Sequence, residues 1–453
     1  MEPRFKDCDR DTLFLMPPSV NDWVPENHLS RFVVEIVNRL DLSPIINAYA
    51  GRGSDAYPPS MMVALLFYAY ATGVFSSRKI ERSTYDSVAF RYIAANTHPD
   101  HDTIASFRKR FLKELKALFG QILLIAHEMG VLKLGSVSLD GTKIKANASK
   151  HHALSWDYAR KLEKQLKDEI KELLRKATQA DKEDLPEGMS IPEELARRES
   201  RLKAIAAAKT QIEQRAAERF AKEQQAYEEK VSARKAKEKE AGKKSKGRTP
   251  VSPQPGPKNK DQVNLTDSDS RIMPSQGGGF EQAYNGQAAV DIDSMLIVEN
   301  HITQQSNDKL EVTPALENFS RLPDKLGTVE KLLADTGYFS AGNVEKCETD
   351  HIVPYIAGSR QRHNAPLMDR FTEPEPLTGP ADPVTEMTHR LKTIAGKAIY
   401  AKRKCTVEPA FGIIKAVMGF RQFLMRGLDQ IAGEWNLVCM AYNIKRLHVL
   451  SSP

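Results

Sequence analysis

Cysteine is scarce in this chain and long apolar runs are missing, and both shortages narrow what it can be. Its 453 residues include four cysteines, Cys8, Cys347, Cys405 and Cys439, with no Cys-x-x-Cys pair among them. That scatter disfavours a disulfide framework and a zinc site alike. The most apolar stretch, Met61 to Tyr70, is too short to span a bilayer. The Pro-rich N-terminus lacks the basic-then-apolar order of a signal peptide, so a soluble cytoplasmic protein is expected. No internal repeat is visible, and neither sign of charge dominates: 66 Lys and Arg against 59 Asp and Glu leave +7. A modest positive balance suits a polyanionic partner, with nucleic acid the natural candidate. At 41% hydrophobic, the chain can bury a large core and is expected to hold two or three folded units.

From about Ser30 to Leu132 the apolar spacing is helical, with Phe32, Val33, Ile36, Val37 and Leu40, then Met61 to Tyr70, then Thr103 to Gly130. Pro58-Pro59-Ser60 starts one helix, and Ser76-Ser77 leads into another that begins Arg78-Lys79-Ile80-Glu81-Arg82. Short helices with basic starts are compatible with helix-turn-helix DNA binding. In the next helix Arg108, Lys109 and Arg110 lie off the apolar stripe, as a solvated face or as phosphate contacts. Val137 to Ala148 alternates as a strand, and Ala288 to Ile302 carries the next clear strand signal. Between them, Ser155 to Thr178 and Pro192 to Lys239 are charged helices, broken at Asp184-Leu185-Pro186-Glu187-Gly188. Leu195, Leu202, Ile205 and Ile212 give the second a coiled-coil rhythm, so an inserted antiparallel helical hairpin is expected. Its exit, Ala241 to Lys260, is a basic Pro/Gly/Ser tract expected to be mobile and able to order along phosphates. Leu310 to Phe319 reads as a helix, Val329 to Ala334 and His351 to Tyr355 as strands, Pro366 to Pro383 as a loop, and Lys392 onward as mainly helical. Strands with helices around and after them define an α/β domain of mixed sheet.

Three carboxylates stand in chemically suggestive settings. Asp140 follows the apolar alternation Val137, Leu139; Asp335 follows Leu332-Leu333-Ala334; Glu408 opens an amphipathic helix. Each has a bland reading: an Asp-Gly hairpin turn, a helix N-cap or turn aspartate, and a solvated helical glutamate. In combination they suit phosphodiester chemistry, which two Mg²⁺ ions roughly 3.5–4 Å apart support by supplying a nucleophile and stabilising phosphorus. Mg²⁺ prefers carboxylate oxygen and keeps several waters, so three acidic side chains from separate elements suffice. Lys415, seven residues after Glu408, is expected on the same helix face. His151-His152 has no partner at ligand spacing and reads as a polar turn.

Tyr400, Arg403, Glu408 and Lys415 resemble the Tyr-Arg-Glu-Lys signature of DDE transposases of bacterial insertion sequences. Asp140-Gly141-Thr142 and Ala334-Asp335-Thr336-Gly337-Tyr338 are similar to that family's first and second acidic motifs, and Tyr57-Pro58-Pro59-Ser60 and Ser76 to Arg108 to its DNA-binding domain. Four residues rather than the usual three separate Arg403 from Glu408, so either Arg403 or Lys404 fills the basic position. The resemblance implies a ribonuclease H-like catalytic domain over residues 133–453, a helical DNA-binding domain over 1–132, and an inserted hairpin with its linker over 155–262. It implies Asp140, Asp335 and Glu408 as ligands of two Mg²⁺, with Mn²⁺ able to substitute. Tyr400, Arg403, Lys404, Lys415, Lys143, Lys145, Arg78, Lys79, Arg108 and Arg110 are the expected DNA contacts. Asp291, Asp293 and Asp308 read as structural or supporting. The implied activity is cutting at terminal inverted repeats and transfer of the 3′-hydroxyl to target DNA, by a homodimer when DNA-bound. A metal-dependent nuclease of the same fold and a non-catalytic DNA-binding derivative are the alternatives.

Overall fold

The structure, a computed structural model, describes residues 19–49, 56–179, 190–243, 247–275, 277–359, 372–377 and 379–451. In chain order, helices α1 (Leu29–Asn38), α2 (Ser43–Ile46), α3 (Pro59–Ala71), α4 (Ser77–Asp86), α5 (Val88–Ile93), α6 (His101–Arg110) and α7 (Leu112–Glu128) precede strand β1 (Ser136–Lys145). Then come β2 (Ala153–Ser155), α8 (Trp156–Gln179), α9 (Ile191–Ala241), β3 (Gln262–Asn264), β4 (Arg271–Pro274), β5 (Phe280–Asp291) and β6 (Ile297–Thr303). The rest is α10 (Val312–Phe319), β7 (Lys331–Ala334), α11 (Ala341–Thr349), β8 (Val353–Ile356), α12 (Pro383–Arg390), α13 (Ile394–Ala401), α14 (Val407–Gly412) and α15 (Leu428–Ser451). Two compact units result: one from the chain up to Ile144 and from Asn285 onward, the other from Lys145 to Tyr284.

In the first unit the strands run in the order β6-β5-β1-β7-β8. β1, β7 and β8 are parallel, and β5 is antiparallel to β6. Val137, Leu139, Leu332 and Leu333 are fully buried, as parallel strands covered on both faces require. α15 is buried along nearly its whole length, from Ile431 through Trp435 to Leu447, and packs against α3, α7 and β6. A helix apolar on all sides belongs in a core. The N-terminal helices and the sheet therefore share one hydrophobic centre built on α3 and α15.

Two sequence expectations are corrected here. Ala288 to Ile302 is two antiparallel strands, because Asp291 Oδ2 accepts from the Ser294 N–H and hydroxyl at 2.8 and 2.6 Å and closes a turn. Thr103 to Gly130 is two helices, with Phe111 (ψ 24°) breaking the run between α6 and α7.

In the second unit β2 pairs antiparallel with β3, and the Trp156 N–H donates to the Asp261 carbonyl at 2.8 Å. Glu163 meets Lys209 at 2.8 Å and Glu169 meets Arg198 at 2.7 Å, so α8 and α9 run antiparallel. Leu162, Leu166, Ile205 and Ile212 form their buried seam, with Leu154 and Val263 beneath it. The break at Asp184 to Gly188 lies outside the described residues. The described residues of the basic exit tract lie along α9. Arg234 donates to the carbonyls of Gly247 and Arg248 at 3.3 and 3.1 Å, and Arg219 to that of Gly256 at 3.3 Å and to the Asp261 carboxylate at 2.9 Å. Arginine forks hold the main chain at intervals, which a coil of Pro and Gly cannot do for itself.

Candidate active site

The register of β1 on β7 sets the site. Ser136 lies opposite Lys331 and Leu139 opposite Ala334, so the next residues, Asp140 and Asp335, emerge side by side from adjacent parallel strands. β1 continues through Gly141 to Lys145, which excludes the Asp-Gly hairpin turn. Asp335 does cap a short 3₁₀ turn, its Oδ1 accepting the Gly337 N–H at 2.7 Å. Opening binding clefts at the carboxyl ends of parallel strands is a general habit of α/β sheets.

The residues from Tyr400 to Lys415 converge on these two strand ends. Tyr400 donates its hydroxyl to the carbonyl of Ala334, immediately before Asp335, at 3.3 Å. Arg403 places one nitrogen 3.5 Å from Asp140 Oδ2 and another 3.7 Å from Glu408 Oε1, linking the first and third carboxylates. Lys404 is exposed, and of the two candidate cations it is Arg403 that lies between the carboxylates. Lys415 donates to the carbonyl of Lys143 on β1 at 3.0 Å. α14 passes into a π turn, Ile413–Val417, which carries Lys415.

A fourth carboxylate enters from the loop after β6. Asp308 Oδ1 accepts from Asn285 Nδ2 at 2.6 Å and Gln287 Nε2 at 2.7 Å, and lies 3.5 Å from Lys143 Nζ. Tyr338 donates to Gln287 Oε1. From the sequence Asp308 is expected only in a supporting role, and Asn285 and Gln287 carry no expectation. The available signal was two amides at a two-residue step in an otherwise apolar strand, hence on one face.

Charge in this cluster is poorly neutralised. Burial pushes the Asp140 carboxyl up to about 6, and the neighbouring charges of Asp335 and Asp308 push the same way, against the Gly141 N–H and Arg403. Burial, then Lys143, lowers Lys415. Tyr338 is raised by burial and by the same three aspartates. Among the described residues no group of three or more acidic, His or Cys side chains stands at metal-binding geometry. The residues nonetheless fit a hard divalent cation: the donors are oxygen, and crowded carboxylates are what such an ion relieves.

The other expected DNA contacts are dispersed. Arg78 and Lys79 are exposed on α4. Arg108 is buried, donating to Tyr70 Oη and to the Phe75 carbonyl at 2.9 Å each, which corrects its assignment as a phosphate contact. Arg110 donates to the Ala48 carbonyl at 2.7 Å and lies over the Tyr49 and Phe111 rings. Lys145, in the second unit, pairs with Glu281 at 2.9 Å.

Known families match at both ends of the first unit. Residues 18–110 match a transposase domain (DUF772) and residues 378–448 a transposase DDE domain. The first match covers α1 to α6, and the second takes in Tyr400, Arg403, Glu408 and Lys415. No curated protein and no solved structure matches the chain. Both matches support a DDE transposase of the kind that insertion sequences carry.

Proposed function

We propose that the chain binds the terminal repeats of its element, cuts there with two divalent metal ions, and joins the freed 3′-hydroxyl to target DNA. The observation that carries this reading is the β1–β7 register, which sets Asp140 beside Asp335 while Arg403 ties Asp140 to Glu408. The strand order β6-β5-β1-β7-β8, with β5 antiparallel to both its neighbours and β1, β7 and β8 parallel, supports a ribonuclease H-like catalytic fold.

Asp140, Asp335 and Glu408 would hold Mg²⁺ or Mn²⁺, which when bound polarise the phosphodiester and lower the pKa of water. The protein's part is positional. Tyr400 fixes the Ala334 carbonyl and with it the start of the Asp335 turn. Arg403 keeps Asp140 and Glu408 facing one another and supplies positive charge where a phosphate arrives. Glu408, more than half exposed, can swing from Arg403 toward incoming DNA at small cost. Arg78 and Lys79 on α4 are the exposed cations placed to engage the phosphate backbone at the ends. Function as a homodimer on DNA belongs to the same proposal.

A plasmid carrying the element's flanking ends, incubated with Mg²⁺ or Mn²⁺, tests the reading. The unaltered protein should break DNA at the ends, and Glu408→Gln should lose cleavage while still binding them. Equal cleavage by the variant refutes the assignment.

A further inference from the structure

We propose that Asp308 is a positioning residue of the catalytic centre, forming with Asn285 and Gln287 an outer shell that receives the water of a hydrated divalent cation beside Asp140 and Asp335. The inference rests on the transposase reading above. It starts from an acceptor with nothing to accept. Asn285 is fully buried, and its Oδ1 has no hydrogen-bond partner. The amide cannot be turned round, because Nδ2 already serves two acceptors, Asp308 Oδ1 at 2.6 Å and the Gln305 carbonyl at 3.2 Å. A buried unpaired carbonyl is costly, and a bound water relieves it.

Space at the site is reserved by glycine. A Cβ on Gly141 would fall 2.6 Å from Asp308 Oδ1 and 2.9 Å from Asn285 Oδ1, and closer still to Gln287 Nε2. The glycine after the first catalytic aspartate is thus what lets Asp308 and both amides approach β1. On the other side a Cβ at Gly337 would stand 3.8 Å from Asp308 Oδ2, so that oxygen faces the turn capped by Asp335. The two amides and Lys143 all contact Oδ1, and none of these contacts uses Oδ2. Tyr338, through Gln287 Oε1, fixes which way the Gln287 amide points. The residues that accompany the aspartates in their two motifs, Gly141, Gly337 and Tyr338, therefore all border this one shell.

An outer shell rather than direct ligation follows from the hydrogen bonds, since Asp308 Oδ1 is already held by both amides and faced by Lys143. Mg²⁺ retains several waters, and those waters donate to acceptors such as Asn285 Oδ1 and Asp308 Oδ2.

The test is Mn²⁺ affinity of the full chain, read from the electron paramagnetic resonance of free Mn²⁺, with no DNA present. Asp308→Asn keeps an oxygen for the two amides and removes the charge. It should bind Mn²⁺ roughly 10- to 100-fold more weakly, as outer-shell changes do, with an unchanged melting temperature. Wild-type affinity in Asp308→Asn overturns the proposal. Asp140→Asn run alongside separates the two levels of inference. If it weakens Mn²⁺ binding and Asp308→Asn does not, only the outer shell is wrong; if neither variant weakens it, the metal-site reading fails as well. Should Asp308→Asn misfold, Asn285→Ala, which removes the waiting carbonyl, must weaken Mn²⁺ binding several-fold, and unchanged affinity there also overturns the proposal.

Discussion

Asp140 is held in a setting that opposes its own charge. Its folded-state pKa of about 6 exceeds the ordinary 3.8, so its ionised form is penalised by folding. The associated stability is present below pH 3.8 and is lost as pH rises through about 6. Metal-free Asp140→Asn should therefore be more stable than the unaltered protein at pH 7.5, by about 2–3 kcal/mol. The advantage should shrink toward pH 4, which urea unfolding at the two pH values checks; equal stabilisation at both would mean the carboxyl is not strained. Such strain is common where function and stability compete. Asp140 and Asp335 were legible in the sequence because each closes an apolar run. Asp308 was not, since it sits in a loop and its meaning depends on Asn285 and Gln287 sharing a strand face. Arg108 misled for the opposite reason: it belongs to a visible cationic run, yet the helix turns it inward to the Phe75 carbonyl.

Among the elements, the charged hairpin was the most readable, since α8 and α9 begin and end within a few residues of the expected bounds. Its seam is narrow, which makes it sensitive to single cuts. Ile205→Ala should cost that seam about 2–5 kcal/mol. Hydrogen exchange should quicken in α8 and α9 while the amides of β1 and β7 keep their protection; uniform quickening would mean the two units unfold as one. The β5–β6 hairpin was hidden by its turn. Neither Gly nor Pro marks it, and the left-handed position falls on Met295 at φ 64°, an uncommon choice for a side chain without a short polar group. The π turn at Ile413–Val417 was hidden likewise, because a widened turn leaves little trace in apolar spacing.

At the scale of the whole molecule, one buried polar chain joins the N-terminal helices to α15. Arg108 donates to Tyr70 Oη, Tyr70 donates to Glu434 at 3.2 Å, and Glu434 also accepts the Leu424 and Met425 N–H groups at 3.0 and 3.1 Å. Burial raises the Glu434 carboxyl and Arg108 opposes the rise. Arg108→Met should remove about 3–5 kcal/mol by leaving Glu434 without its counter-charge. If the loss in Arg108→Met combined with Glu434→Gln equals the sum of the losses in the two single variants, the pair is not coupled. The expectation of a separate N-terminal domain misses this link, because residues far apart in sequence give no sign of a shared hydrogen bond.

The second unit enters and leaves its helical pair through a single closed neck, with Trp156 and Asp261 joined by a 2.8 Å bond between their backbones. Chain ends that close together form a graft point. A short turn can replace everything between them without stretching the strands on either side, and an unrelated domain with neighbouring termini can be spliced in there. The same closeness makes this the place where evolution could lengthen, shorten or exchange the arm in one step, leaving the carboxylates untouched.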